Sequence, residues 1–142
     1  MSLRVEIIPC RTDNYSYMCI DSENNAFVVD PSEFIPVDNF IKKNNLNLKY
    51  ILNTHHHFDH VGGNIELKEK YGAKIVGNKN DKDRIPGIDI CLIEGEFFKF
   101  NEYKAEIIDI PGHTIGHIAF HIQSENIVFT GDTLFSLGCG RI

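Results

Sequence analysis

Residues 50–60 read Tyr50-Ile51-Leu52-Asn53-Thr54-His55-His56-His57-Phe58-Asp59-His60. An apolar run of strand length breaks into a turn crowded with imidazoles and one carboxylate, and Val61, Ile65 and Tyr71 then mark a helix over residues 62–70. The polar cluster therefore belongs on a strand-to-helix loop, where binding groups are commonly carried. In extended chain His55 and His57 share one side and His56 turns away, so His56 is read as a residue that supports the ligands or packs, rather than as a ligand. Asp59 and His60 fall at the entry to the helix. Neutral nitrogen and anionic oxygen at this spacing are the donors that zinc or a related divalent ion takes.

Two further segments repeat the arrangement. The run 107–110 passes into Pro111-Gly112-His113-Thr114-Ile115-Gly116-His117, and the run 127–130 passes into Gly131-Asp132-Thr133. Each places a polar side chain beyond an apolar strand, after a glycine that lets backbone approach closely. If the three strands are neighbours, His55, His57, His113 and Asp132 form a site of three nitrogens and one carboxylate. Asp59 and His60 begin a second site that can share Asp132. His117 is read as orienting a loop and His121 as a structural histidine within a strand. Asp30, Asp109 and Thr133 are candidates for hydrogen bonds to ligand imidazoles or loop amides.

Outward from these loops, strands are predicted at 5–8, 17–20, 26–29, 50–52, 73–76, 88–93, 96–100, 103–110, 117–122 and 126–129. A first helix is predicted over 32–44, capped by Ser32, with Phe34, Val37 and Ile41 on its inner face. Alternation in Tyr103, Ala105 and Ile107, and again in Ile118, Phe120 and Ile122, points to antiparallel ribbon in the later half. The polar stretch Asn78-Lys79-Asn80-Asp81-Lys82-Asp83-Arg84-Ile85-Pro86-Gly87 reads as a solvated surface loop.

Composition narrows the function classes. The 142 residues suit one domain, and 14 Lys+Arg against 20 Asp+Glu leave a formal charge of −6 that repels a phosphate backbone, so nucleic acid is not expected as a partner. No apolar run approaches the ~18 residues of a membrane span, and none resembles a secretory leader. A cytoplasmic protein without membrane partners is expected. Cys10, Cys19, Cys91 and Cys139 form no C-x-x-C pair, which predicts isolated reduced thiols.

Thr54 to His60, Gly112 to His117, and Gly131-Asp132-Thr133-Leu134-Phe135 together resemble the ordered motifs of the metallo-beta-lactamase superfamily. The opening Asp13-Asn14-Tyr15-Ser16-Tyr17 and the closing Gly138-Cys139-Gly140-Arg141 are similar to its glyoxalase II branch, the hydroxyacylglutathione hydrolases. The resemblance implies an α/β four-layer αββα sandwich, present here as the first sheet with its helices and an incomplete second sheet. It makes residues 1–142 a catalytic domain incomplete at its C-terminus. It also implies zinc at two sites, with iron or manganese as alternative metals. His55, His57 and His113 would hold the first ion, Asp59 and His60 the second, and Asp132 would bridge them. Asp59 would act catalytically by orienting water, Arg141 would contact the glutathione moiety, and Cys139 would pack near the site.

The implied reaction is hydrolysis of S-(R)-lactoylglutathione to glutathione and D-lactate. Ser136 and Cys139 have no basic partner in their own motif, which argues against a covalent nucleophile. The branch's further histidine and basic helical residues have no counterpart before Ile142. That gap leaves a second reading, a metal-binding remnant with little or no activity, and the resemblance itself leaves a third, a mononuclear-iron persulfide dioxygenase, which is similar to the same branch and shares the Gly138-Cys139-Gly140-Arg141 turn. An incomplete sandwich also exposes an apolar face or strand edge, which predicts self-association into a homo-oligomer.

Overall fold

In the computed structural model, residues 3–10, 14–55, 61–110, 117–130 and 134–136 are described. The first sheet has the order β1-β2-β3-β4-β5-β6. Its strands are β1 (Arg4–Cys10), β2 (Asn14–Ile20), β3 (Asn25–Val29), β4 (Asn47–Leu52), β5 (Lys74–Asn78) and β6 (Ile88–Leu92). β1, β2 and β3 pair antiparallel, whereas β3 through β6 run parallel. Parallel neighbours need crossovers, and α1 (Phe34–Asn44) and α2 (Asn64–Tyr71) supply the first two.

Each helix has a local reason to form and to stop. In α1, Val37 and Ile41 recur at i and i+4 on a buried face, Pro36 lies in the tolerant first turn, and Lys42 and Lys43 face the carbonyl end. Asn45 then adopts a left-handed φ of 52°, and the Leu46 amide closes the turn on the Ile41 carbonyl at 3.0 Å. α2 stops at Gly72, whose φ of 70° suits a residue without Cβ. The predicted cap at Ser32 is not observed. Glu33 occupies the N-cap without a side-chain bond, because Ser32 is buried and its amide donates to Ser16 Oγ at 3.4 Å.

The second sheet has the order β11-β10-β9-β8-β7, antiparallel throughout. It comprises β7 (Phe97–Phe100), β8 (Tyr103–Asp109), β9 (Ile118–Ile122), β10 (Ile127–Phe129) and β11 (Leu134–Ser136). The alternating residues expected to face inward do so: Tyr103, Ala105, Ile107, Ile118, Phe120 and Ile122 join Phe27, Val29, Leu52 and Val76 in one core between the sheets. Phe27 is its hub, edge-on to the rings of Phe98, Phe100 and Phe129. A separate core, with Val28, Ile51 and Ile75 against Val37, Ile41 and Leu67, joins the first sheet to the helices.

The stretch 78–87 is more than a solvated loop. It forms a short 3-10 turn at Lys79–Asp81, and Asn78, Asp81 and Ile85 are buried. Ile85 belongs to the helix-side core, so this segment acts as the third crossover, between β5 and β6. No helix among the described residues is long and apolar enough to cross a membrane.

Candidate metal centre

The site grows from the end of β4. Beyond Leu52, the Asn53 amide donates to the Val76 carbonyl of β5 at 2.9 Å, which keeps the chain in line with its neighbour for one more residue. The Asn53 side chain pairs reciprocally with Asn64 at the start of α2: Asn64 Nδ2 donates to Asn53 Oδ1 at 2.6 Å, and Asn53 Nδ2 donates back at 3.3 Å. Both amides are fully buried, where unmade hydrogen bonds would be costly. The pair therefore clamps the two ends of the histidine loop together.

Asp30, at the exit of β3, supports the next two residues. Its carboxylate accepts the Thr54 amide at 2.9 Å through Oδ1 and the Thr54 hydroxyl at 2.6 Å through Oδ2. Thr54 Oγ1 also lies 2.9 Å from His55 Nδ1. Asp30, Thr54 and His55 are all at most 1% exposed, so the chain of contacts is shielded from bulk water. Asp30 adopts a left-handed φ of 51°, and its amide donates to the Leu52 carbonyl at 2.8 Å.

The roots of the other two loops meet this one. The Ile118 amide donates to the Thr54 carbonyl at 2.8 Å, joining the second sheet to the end of β4, and the Ile110 amide donates to the His117 carbonyl at 3.0 Å across the base of the 111–116 segment. The His117 ring lies stacked on His55, with centroids 4.5 Å apart and planes inclined by 21°. His117 Nε2 donates to the Thr130 carbonyl at 2.7 Å, just after β10. Thr130 opens the segment that carries Asp132. One buried pair of imidazoles thus ties together the bases of all three motif-bearing segments.

Of the sequence-predicted ligands, the structure describes His55. His57, Asp59, His60, His113, Asp132 and Arg141 lie outside the described residues, as do His56, Thr133 and Cys139. Among the described residues there is no group of three or more His, Cys, Asp or Glu side chains suited to a metal ion. His55 itself fits such an ion, because a buried imidazole whose Nδ1 is engaged by a hydroxyl matches how ligand histidines are held. Asp109 is exposed at the end of β8, opposite Ile118 in the β8–β9 register, whereas Asp30 is buried and enters this chain of bonds. Asn53 and Asn64 were given no role by the sequence, and Thr54 entered only as the first residue of the histidine motif, with no role of its own.

The remaining candidates fall elsewhere. His121 is half-buried on the outer face of the second sheet, where it lines a cleft of about 440 Å³ with Phe97, Lys99 and Lys104. Cys10, Cys19 and Cys91 are free thiols, and burial pushes the Cys19 thiol well above its ordinary range, which leaves it unreactive.

The chain is 57% identical over 141 residues to a hydroxyacylglutathione hydrolase of Pelagibacter ubique, covering 99% of this chain and 59% of the relative. It is 45% identical over 141 residues to a hydroxyacylglutathione hydrolase of Methylococcus capsulatus, covering 99% of this chain and 55% of that protein. The chain thus spans less than two thirds of the length of either curated relative. Its fold superposes on the crystal structure of the BLEG-1 B3 metallo-beta-lactamase with a TM-score of 0.82 at 21% identity, over 97% of this chain and 76% of that one. The superfamily profile matches residues 11–142. With the three motifs rooted at one buried histidine pair and the profile running through all of them, the chain belongs to the metallo-beta-lactamase superfamily.

Proposed function

We propose that this chain carries the metal centre of a thioester hydrolase that cleaves S-(R)-lactoylglutathione to glutathione and D-lactate in the cytoplasm. The observation that carries the reading is the meeting of Thr54–His55, His117 and Thr130, which roots the three motif-bearing segments at one point. The names of the curated relatives favour the glutathione thioester over other hydrolase substrates.

In this reading His55, His57 and His113 would hold one zinc ion, Asp59 and His60 would hold a second, and Asp132 would serve both. A divalent ion bound there supplies Lewis acidity and lowers the pKa of water toward neutrality. Asp59 would orient the attacking water through its carboxylate. Arg141 holds a glutathione carboxylate as a charge-assisted pair. The departing thiolate needs no strong general acid, since a thiol ionises near pH ~8.5.

Metal analysis of the purified chain, paired with a lactoylglutathione assay before and after chelation, tests the reading. Zinc together with D-lactate release that chelation abolishes is the expected result. Iron with oxygen uptake on glutathione persulfide would replace the hydrolase with a dioxygenase, and bound metal without turnover would leave a metal-binding remnant. An Asp132→Asn variant that keeps its second metal and its turnover would remove the bridging role.

A further inference from the structure

We infer that Thr54, fixed by Asp30, is the positioning residue that sets the ring tautomer of His55 and presents its Nε2 as the lone-pair nitrogen. The inference deepens the metal-centre reading above and rests on it for the identity of what Nε2 meets.

The argument is one of counting protons. A carboxylate only accepts, so the single hydroxyl proton of Thr54 is committed to Asp30 Oδ2 at 2.6 Å. The Thr54 oxygen can then serve His55 only as an acceptor. Nδ1, 2.9 Å away, must carry the ring proton, and in a neutral imidazole that leaves the lone pair on Nε2. The Thr54 amide, donating to Asp30 Oδ1 at 2.9 Å, removes the remaining freedom of the carboxylate to rotate.

Two independent features show that this arrangement is held in place. Asp30 keeps a left-handed φ of 51°, a conformation uncommon for L-residues that its hydrogen bonds to Thr54 and Leu52 hold in place. The stacked His117 ring, at 4.5 Å, fixes the plane of the same imidazole whose protonation Thr54 fixes. Tautomer and ring orientation are thus set by different elements, β3 through Asp30 and the start of β9 through His117.

The test reads the ring directly. Long-range proton–nitrogen correlation spectra of the nitrogen-15-labelled chain without metal should show His55 protonated at Nδ1. Thr54→Val, which keeps the volume and removes the acceptor, should populate the other tautomer and weaken zinc binding in chelator competition by ~10–100-fold. Thr54→Ser should restore both.

A wild-type His55 protonated at Nε2, a Thr54→Val variant with unchanged tautomer and zinc affinity, or a wild-type chain that binds no zinc would each overturn the inference. Should Thr54→Val fail to fold, the wild-type tautomer and the Thr54→Ser variant decide. Zinc binding with the expected tautomer but no thioester turnover would defeat the hydrolase reading and leave this one standing. Turnover with an indifferent Thr54→Val variant would do the reverse.

Discussion

The rings of His55 and His117 are stacked 4.5 Å apart although the residues come from different sheets, one after β4 and the other before β9. His117 is 4% exposed, and its Nε2 is bonded to the Thr130 carbonyl at 2.7 Å, so it spans from one motif segment to another while covering the face of a third segment's histidine. Replacing it with Ala removes the stack and the bond to the Thr130 carbonyl. We expect His117→Ala to lose ~2–3 kcal/mol of stability and His117→Phe, which keeps a flat ring but no donor, to lose less. Zinc affinity should fall in the Ala variant by ~10-fold and be better retained in the Phe variant. Chemical denaturation and chelator competition measure the two effects.

Gly63 marks another close approach. Its amide donates to the Pro31 carbonyl at 2.8 Å, and a Cβ built there would come within 3.1 Å of the Pro31 oxygen and the Glu33 carbonyl carbon and 3.2 Å of the Phe34 nitrogen. Every obstacle is backbone, so relief requires moving the segment that follows Asp30. Gly63→Ala should therefore cost ~1–3 kcal/mol and disturb the Asp30–Thr54 contacts as well. A variant with wild-type thermal stability and an unshifted Thr54 amide resonance would contradict this.

The cores of both sheets were legible because strand periodicity and burial coincide. Tyr103, Ala105 and Ile107 alternate with charged neighbours, and the inter-sheet core takes that face. Propensity misled at Ser32, where a good capping side chain is buried and its amide is taken by Ser16, sixteen residues away in sequence. The stretch 78–87 misled for a related reason: its charges suggested solvent, but Ile85 packs in the helix-side core and Asp81 is buried, taking a bond from Arg84 at 3.1 Å. β11 was absent from the sequence reading because three residues give too little pattern to register. At the site, the motif identified His55, while its supports, Asp30 and His117, are 25 and 62 residues away and only the sheets bring them together.

Phe27 provides the test of the inter-sheet core. It is 1% exposed and touches aromatic rings from β7 and β10. Truncation to Ala leaves a void that several rigid rings cannot readily fill, so Phe27→Ala should lose ~3–5 kcal/mol. Phe27→Leu should lose less, as it restores part of the volume. Urea midpoints at unchanged slope would establish that the loss is in stability rather than in cooperativity.

Asp38 predicts how stability follows pH at both ends of the scale. This buried carboxylate on α1 accepts from Lys70 of α2 at 2.8 Å, from Lys42 at 3.3 Å and from the Tyr71 hydroxyl, joining the two helices. Burial alone would raise its pKa, but the bonds from Lys70, Tyr71 and Lys42 together hold it below the ordinary value of 3.8. Its stabilisation is therefore complete above that value and fades as pH falls through the depressed folded value. Burial and the same carboxylate push the Tyr71 hydroxyl above its ordinary value of 10.0, so the Tyr71 contribution is complete below that value and fades as pH rises through the folded one. Asp38→Asn should cost ~1–3 kcal/mol at neutral pH, with the exposed lysines contributing least. It should also flatten the acid flank of the stability profile and weaken the alkaline one, where burial still holds the Tyr71 hydroxyl above its ordinary value. Denaturation midpoints of the wild type and the variant across acid, neutral and alkaline buffers measure this, and parallel profiles would show that Asp38 does not couple the helices in solution.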